Sequence, residues 1–384
     1  MKKVMALILA LIAAVCLVFS AFAEETPADG LKLLAINVRK ADCLLLMSGQ
    51  DVYMIDTGRP ESIGQIRTVL ASRGIDRLKG IIVTHTDIDH VGSLPFLLKS
   101  GITVENLYTS GYYVCSEEEH PVLKTAKAAG REVIFLKAGD VLPLEGGELR
   151  VLGPLWEDST DENNNSLVML AKTKDGTILL TGDMELDEEA SLLSKGAIPN
   201  ADVLKVAHHG AGDATSEALV RAVRPKAAII STNSEDASKK PSKKVKTSLL
   251  KNGAQIAITQ NATEGVLVTL KNGVPELELS NLKDIPEPTE DIKLADRDTA
   301  GKTVTVVNNG EKTVDLTGWY ILFPKSYEIF SFPDGMTLAP AQRLTVDVST
   351  TFNANELKWK KKDEWIPNAA MLYDSYGRIV SLMG

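Results

Sequence analysis

Apolar and polar positions alternate along this chain in two different ways. From about residue 31 to 279, apolar runs of strand length, such as 80–84 and 203–207, alternate with amphipathic stretches of helix length, such as 62–72 and 117–129. Short apolar runs bounded by turn residues indicate buried strands, whereas apolar residues that recur every three or four positions indicate helices. The alternation therefore predicts an α/β region with layered packing.

Beyond about residue 292 the pattern changes to strands alone. Strand-like runs at 303–308, 320–323 and 344–348 are separated by turns that contain asparagine, glycine and proline. Residues of this kind form the tight turns between neighbouring strands. This part of the chain is therefore predicted to be a small all-β sandwich.

A short segment separates the two patterns. Residues 281–291 are rich in proline and acidic side chains, a composition typical of a linker. We therefore expect a first domain over residues 30–280, a linker over 281–291 and a second domain over 292–384.

The first residues have the layout of a secretory signal. Lys2 and Lys3 precede an apolar stretch over residues 4–18, and residues 21–23 form an A-x-A cleavage pattern. The alternative is an uncleaved membrane anchor, but the apolar run is short for a membrane span. We expect residues 1–23 to be removed on export, which leaves a secreted, soluble, extracellular protein with no stable membrane insertion.

Charge and composition limit the partners of the protein. Its 384 residues carry a net charge of −9, from 42 basic and 51 acidic side chains. This balance argues against binding nucleic acid by overall electrostatic attraction, so a polyanionic substrate would have to be met by a metal ion or by a few local cations. Three cysteines are too few for a disulfide scaffold.

Candidate chemistry is concentrated where one predicted strand ends. The apolar run 80–84 leads directly into His85, Asp87, Asp89 and His90, four potential metal ligands within six residues. Alternate positions of an extended segment face the same side, so several of these side chains can converge on one ion. The alternative is a solvated acidic turn.

Two further strand ends supply possible partners. Asp183 follows the run 177–181, and His208 and His209 follow the run 203–207. Ligands gather outside the carboxyl ends of strands in α/β sheets, so these side chains could meet at one site, where Asp183 could bridge two ions about 3.5–4 Å apart. The remaining histidine, His120, is expected at the surface.

The ordered set of motifs resembles a known family. The motifs lie at residues 37–42, 55–58, 85–90, 163–167, 181–183, 207–210 and 224–231. Together they resemble the metallo-β-lactamase superfamily, and within it the hydrolase domain related to the competence protein ComEC. The resemblance implies an αββα sandwich and one or two divalent ions, zinc or manganese. The residues that fall on its metal-ligand positions are His85, Asp87, Asp89, His90, Asp183 and His208, with His209 open as the alternative to His208.

We expect two metal sites per chain, one occupied more tightly than the other. Asp89, His90, His208 and Asp183 would hold the tighter ion, and His85 and Asp87 would hold the weaker one together with Asp183. Asp56 falls on a position that is structural at the floor of the site, and a turn-capping role is compatible with this.

Several positions depart from the family pattern. Asp87 replaces a histidine, and asparagines at 163–165 stand where a further histidine is expected, which favours manganese or a weakly held second zinc ion. Lys240 replaces a histidine before a Pro-Ser pair, and the opening motif has Asn37, Arg39 and Lys40 where an acid, a glycine and a glutamine are usual. Such changes could alter the substrate or abolish catalysis.

The C-terminal part has its own resemblance. The motifs at residues 304–310, 314–320, 332–335 and 372–377 look like a lamin-tail domain, an immunoglobulin-like sandwich. That resemblance implies an interaction module, which could bind an envelope component or another polyanionic partner. The loop 358–362 mixes lysines with a tryptophan and could touch a polyanion, or it could be a solvated hairpin tip.

Three functions fit these observations. The first is a secreted metal-dependent phosphodiesterase, a nuclease that cleaves extracellular DNA with a metal-activated hydroxide, with Asp89 and Lys240 as catalytic residues. The second is a hydrolase of another envelope phosphoester, of the phosphorylcholine type. The third is a binding protein built on a catalytically decayed hydrolase domain.

Overall fold

The computed structural model describes residues 30–235, 240–283, 288–298, 303–323, 328–333, 335–347 and 370–383. The predicted signal segment and the loop 358–362 lie outside these residues. Among the helices described, none is both long and apolar enough to span a membrane.

Two large sheets form the N-terminal part. The strands of the first sheet are β1 (Leu31–Ile36), β2 (Leu44–Ser48), β3 (Asp51–Ile55), β4 (Arg77–Val83), β5 (Thr103–Ser110), β6 (Ile134–Leu136), β14 (Gly265–Lys271) and β15 (Val274–Ser280). They are ordered β15-β14-β1-β2-β3-β4-β5-β6. The strands of the second sheet are β7 (Val141–Leu144), β8 (Gly147–Gly153), β9 (Val168–Thr173), β10 (Gly176–Leu180), β11 (Val203–Lys205), β12 (Ala227–Ile230) and β13 (Gln255–Ile258). Their order is β13-β12-β11-β10-β9-β8-β7.

Helices cover the outer faces of both sheets. They are α1 (Ile63–Ser72), α2 (Ile88–Val91), α3 (Leu94–Leu97), α4 (Pro121–Ala128), α5 (Leu186–Ser194), α6 (Glu217–Val223) and α7 (Lys243–Lys251). The first four pack on the first sheet and the last three on the second. In α1 the buried Ile63, Ile66, Val69 and Leu70 recur at helical spacing, which gives the helix one apolar face.

A third apolar cluster lies between the two sheets. Side chains from both sheets, among them Leu33, Ile82, Leu180 and Val203, are fully buried there. Strands that are covered on both faces carry nearly continuous apolar runs, as residues 80–83 of β4 do. The layers are therefore helix, sheet, sheet, helix, which confirms the predicted α/β sandwich.

Parallel pairing brings several strand ends to one edge. In the first sheet β3 pairs in parallel with β4, and β4 with β5. In the second sheet β10, β11, β12 and β13 are successive parallel neighbours. The carboxyl ends of parallel strands point the same way, so the loops that follow them can meet.

The C-terminal part is all-β, as predicted. Its strands are β16 (Ile292–Asp298), β17 (Thr303–Asn308), β18 (Val314–Asp315), β19 (Tyr320–Phe323), β20 (Glu328–Ser331), β21 (Thr337–Leu338), β22 (Arg343–Asp347), β23 (Ala370–Tyr373) and β24 (Ile379–Met383). They form the small sheets β16-β17-β22, β18-β21 and β20-β19-β23-β24. A separate apolar cluster, which includes Trp319 and Phe332, fills this part.

The C-terminal strands also pack on α1. Tyr320 is fully buried, stacks on Tyr373 with ring centroids 4.7 Å apart, and joins the apolar cluster beneath α1. The Arg67 guanidinium lies 5.0 Å above the Tyr320 ring and donates to the Gly318 carbonyl oxygen. The two parts of the chain therefore share a packed apolar contact.

His120 corrects one expectation. It is fully buried rather than at the surface, and its ring packs edge-on against Tyr113 at 4.5 Å. It is also the N-cap of α4, which begins at Pro121 and not near residue 117. Proline suits the first helical position because its missing N–H would be unpaired there in any case. Burial lowers the pKa of His120 to about 4, so the ring is neutral at pH 7.

The contact between α1 and the C-terminal part generates a prediction. A Cβ atom on Gly64 would lie 2.0 Å from the backbone oxygen of Gly377. Alanine in a helix is normally more stable than glycine by roughly 0.5–1 kcal/mol, but overpacking costs about 1–3 kcal/mol. Gly64→Ala should therefore lower the free energy of unfolding in urea, whereas the exposed control Ser72→Ala should change it by less than about 0.5 kcal/mol. A stabilised Gly64→Ala protein would show that this contact is absent.

Candidate metal centre

The loops after four strands converge on one buried cluster. Asp56 follows β3, the segment from His85 to His90 follows β4, Asp183 follows β10, and His209 follows β11. Asp56 has a left-handed backbone with φ of +60°. Aspartate is among the few non-glycine residues that adopt this conformation readily.

His85 and His90 are each held through one ring nitrogen. Nδ1 of His85 lies 3.0 Å from Thr84 Oγ1 and 3.2 Å from Ser166 Oγ. Nδ1 of His90 lies 2.8 Å from Asp56 Oδ2. Both rings are fully buried, and a second partner on Nδ1 is the usual way to orient a metal-binding histidine through Nε2.

Asp56 is an orienting residue in this arrangement. Its carboxylate accepts hydrogen bonds from the backbone N–H of Thr84 at 2.7 Å and from the Thr84 hydroxyl at 2.9 Å. Together with His90 these donors surround the carboxylate, so Asp56 supports the floor of the site. This placement agrees with the structural role that the sequence resemblance implies.

His209, and not His208, enters the centre of the cluster. Its Nδ1 lies 3.0 Å from the Ser231 carbonyl oxygen, and its Nε2 lies 3.3 Å from Asp183 Oδ2 and 3.5 Å from Asp89 Oδ2. Both histidines have left-handed backbones, with φ of +47° and +54°. Two successive residues in this sparsely populated region turn the chain sharply, and strain of this kind is typical of functional sites.

His208 points to a neighbouring acidic group. Its Nδ1 lies 3.1 Å from Glu185 Oε1 and 3.2 Å from Asp213 Oδ1, whereas its Nε2 is 3.9 Å from Asp183 Oδ2. The structure thus places the predicted ligand His208 at the edge of the cluster and its alternative, His209, inside it.

Asp183 connects the contributions of the two sheets. Its Oδ2 lies 3.3 Å from Nε2 of His90 and 3.3 Å from Nε2 of His209, and its backbone N–H donates to Ser166 Oγ. Burial alone would raise the pKa of Asp183, but the two imidazoles outweigh burial and hold the pKa well below its usual value. Burial likewise acts to lower the pKa of His90, yet the charges of Asp183 and Asp56 raise it well above the usual value.

Asp87 and the three asparagines lie apart from this cluster. Asp87 is exposed, and none of the groups of potential ligands found in the described residues includes it. Asn164 and Asn165 hydrogen-bond to Asp158, and Asn163 donates to Glu185. The asparagines therefore stabilise their own loop, and the residue of this segment that touches His85 is Ser166. Asp87 as a ligand stays a prediction.

Three lysines surround the cluster. Lys205 is fully buried and its Nζ lies 2.7 Å from Asp42 Oδ2. Lys40 places its Nζ 2.5 Å from Asp89 Oδ2. Lys240 is half-buried at the edge of the site, where burial, followed by the nearby charge of Lys40, lowers its pKa.

The sequence analysis predicted neither ion pair, Lys205 with Asp42 or Lys40 with Asp89. The sequence signal for the Lys40–Asp89 pair was the unusual lysine at position 40 of the opening motif. Burial acts to lower the pKa of Lys40, but the charge and hydrogen bond of Asp89 outweigh burial and raise the pKa above its usual value. Lys40 is therefore an ammonium ion at neutral pH.

The donor atoms fit a divalent metal ion. Nε2 of His85, His90 and His209 and Oδ1 of Asp183 are buried, and none makes a well-formed hydrogen bond to another described residue. His85, His90 and Asp183 form one group of mutually close ligand atoms, and Asp89, His90 and His209 form another. Imidazole nitrogen with carboxylate oxygen is a donor set that zinc, manganese and iron accept.

A family comparison agrees with this site. The sequence model of the metallo-β-lactamase superfamily matches residues 36–234, more than half of the chain. The chain belongs to the metallo-β-lactamase superfamily. The model of the lamin tail domain matches residues 285–384, the predicted second domain with part of the linker.

Competence proteins are among the relatives of this metallo-β-lactamase domain. ComE operon protein 3 of Bacillus subtilis is 34% identical over 53% of this chain and 26% of its own length. Recombination protein 2 of Haemophilus influenzae is 31% identical over 49% of this chain and 22% of its own length. Competence protein ComA of Neisseria gonorrhoeae is 25% identical over 59% of this chain and 29% of its own length. The chain thus spans about a quarter of the length of each of these relatives.

Solved structures similar to the chain include a diphosphatase and a metallo-β-lactamase. A diphosphatase of the PhnP family is 14% identical over 62% of this chain and 96% of its own, with a TM-score of 0.39. The class B3 di-zinc metallo-β-lactamase LRA-12 from an Alaskan soil metagenome is 18% identical over 46% of this chain and 75% of its own, with a TM-score of 0.34.

The positions of the two adjacent histidines generate a prediction for this metallo-β-lactamase domain. His209→Ala should reduce the metal content of the purified protein strongly, because it removes a fully buried imidazole from the centre of the cluster. His208→Ala, the matched control, should retain most of the metal because its ring faces Glu185 and Asp213. Elemental analysis of both variants tests this. Loss of metal from His208→Ala alone would reverse the assignment.

Proposed function

We propose that this protein is an exported, metal-dependent phosphodiesterase that cleaves DNA. The observation that carries the proposal is the convergence of three buried imidazole Nε2 atoms on the Asp183 carboxylate, with the Lys40 ammonium on the neighbouring Asp89. Membership of a hydrolase superfamily and similarity to competence proteins support a phosphoester substrate. The net charge of −9 means that local cations must meet the phosphate.

Each side chain of the cluster has its own role in the proposed reaction. His85, His90, His209 and Asp183 would hold the divalent ion, which acts as a Lewis acid on the phosphoryl group and makes water a nucleophile at neutral pH. Asp56 keeps the His90 ring in place through Nδ1. Asp89, next to His209, would orient the attacking water. Lys240 would neutralise charge that develops on the non-bridging oxygens.

Export and partner binding complete the proposal. The N-terminal signal pattern would direct the protein out of the cell, where extracellular DNA is the substrate. The lamin-tail domain would position the hydrolase on an envelope component or another polyanion.

The proposal predicts a specific substrate profile. The metal-loaded protein should hydrolyse bis-p-nitrophenyl phosphate and cut single-stranded or double-stranded DNA, and removal of the metal with a chelator should abolish both activities. Phosphorylcholine esters and a β-lactam are the comparison substrates. Cleavage of a phosphorylcholine ester without cleavage of DNA would favour the second function, and a metal-loaded protein that is inactive on every substrate would favour a binding protein.

Lys240 generates a separate prediction about the chemical step. A positioned ammonium stabilises the charge of the transition state, so Lys240→Ala should lower kcat on a phosphodiester by roughly 10²-fold, as loss of one oxyanion donor does. The exposed Lys244 is the control, and Lys244→Ala should be nearly silent. Metal content should be the same in both variants. Small, equal effects that disappear together at high salt would mean that the loop acts only through its overall charge.

A further inference from the structure

We propose that the ammonium group of Lys40 takes the place of a second metal ion, so that the site holds a single divalent cation. This inference goes beyond the proposed function, because it concerns the number of ions and not the substrate. It rests on the contacts of Lys40, on the partners of the buried carboxylates and on the balance of charge in the cluster.

Lys40 is held in the site by its own backbone segment. Its Nζ lies 2.5 Å from Asp89 Oδ2, the same oxygen that lies 3.5 Å from His209 Nε2. Two residues further on, the backbone N–H of Asp42 donates to the Asp89 carbonyl oxygen at 3.1 Å, and the Asp42 carbonyl accepts from Gly58 at 2.7 Å. The segment that carries Lys40 is therefore attached to the loop that carries Asp89.

Each carboxylate of the cluster except one has a dedicated partner. Asp42 is paired with Lys205, and Asp89 is paired with Lys40. Asp56 accepts from Thr84 and lies against His90 Nδ1. Asp183 is different, because its side chain faces the Nε2 atoms of imidazoles that make no well-formed hydrogen bonds within the described residues.

The charges of the cluster match one divalent ion. Among the buried carboxylates of the cluster, the Asp42–Lys205 and Asp89–Lys40 pairs are each neutral, which leaves the negative charges of Asp56 and Asp183; Lys240 lies at the edge of the site, where the substrate would meet it. A single divalent cation balances these two charges. A second ion would have to take Asp89 from Lys40 and lie beside an ammonium group, and like charges at short distance repel strongly where water is excluded.

Metal binding to Lys40→Gln tests the inference. Glutamine keeps most of the side-chain length and removes the charge, so Asp89 becomes free to bind metal. Metal-free protein titrated with Mn²⁺ or Zn²⁺ by calorimetry should bind one ion per chain as the wild type and two as Lys40→Gln. Any second ion that the wild type takes up at high metal concentration should bind at least about tenfold more weakly than the second ion of Lys40→Gln.

Arg39→Gln is the matched control. It removes the same charge from the adjacent position, where the Arg39 side chain is exposed and pairs with the exposed Glu235 at 3.1 Å. This variant should bind one ion, as the wild type does. A second ion in both variants would attribute the effect to net charge and overturn the role of Lys40.

Spectroscopy of the wild type tests the inference without any substitution. With Mn²⁺ in excess, the electron paramagnetic resonance spectrum of the bound metal should be that of isolated ions. An exchange-coupled pair, or two ions of similar affinity in the titration, would overturn the inference and leave the proposed function intact. A wild type that binds no ion would overturn both. A Lys40→Gln protein that folds and still binds one ion would also overturn the inference.

Discussion

The buried Asp183 carboxylate is the point on which the site depends. Asp183 follows a strand of the second sheet, yet its nearest side-chain partners include His90, which follows a strand of the first sheet. Burial of a carboxylate costs free energy unless the carboxylate is paired. The two sheets must therefore pack in one fixed relative position if Asp183 is to meet its partners. The apolar cluster between the sheets fixes that relative position. The chemistry at the edge and the apolar core therefore constrain each other.

The same electrostatics link metal binding to folding. Burial acts to lower the pKa of His90, but the charges of Asp183 and Asp56 raise it well above its usual value, whereas a metal ion would bind this imidazole without its proton. Binding of metal should therefore release protons and stabilise the folded chain, because the unfolded chain does not assemble these ligands. The hydrogen bonds to Nδ1 of His85, His90 and His209 keep the rings oriented in either state.

The layers could be predicted from the sequence, and most residues of the candidate site could be proposed from it, because both follow from local patterns. Apolar runs identify strands, and the potential ligands His85, His90 and Asp183 stand directly after them. The choice between the two adjacent histidines depended on two left-handed residues, a conformation that no local pattern indicates. The pairing of Lys40 with Asp89 could not be predicted from the sequence either, since it joins residues 49 positions apart through tertiary packing.

The C-terminal part is connected to the site through one continuous segment. Thr57, directly after Asp56, donates its backbone N–H to the His90 carbonyl oxygen at 2.6 Å, and a turn at Pro60–Ser62 leads from there into α1. Gly64 and Arg67 of α1 contact the C-terminal strands. Packing of those strands on α1 therefore restrains the segment that supplies Asp56, the residue that orients His90. The lamin-tail domain can thus contribute to the rigidity of the candidate metal centre, since α1 contacts this domain and continues the segment that supplies Asp56.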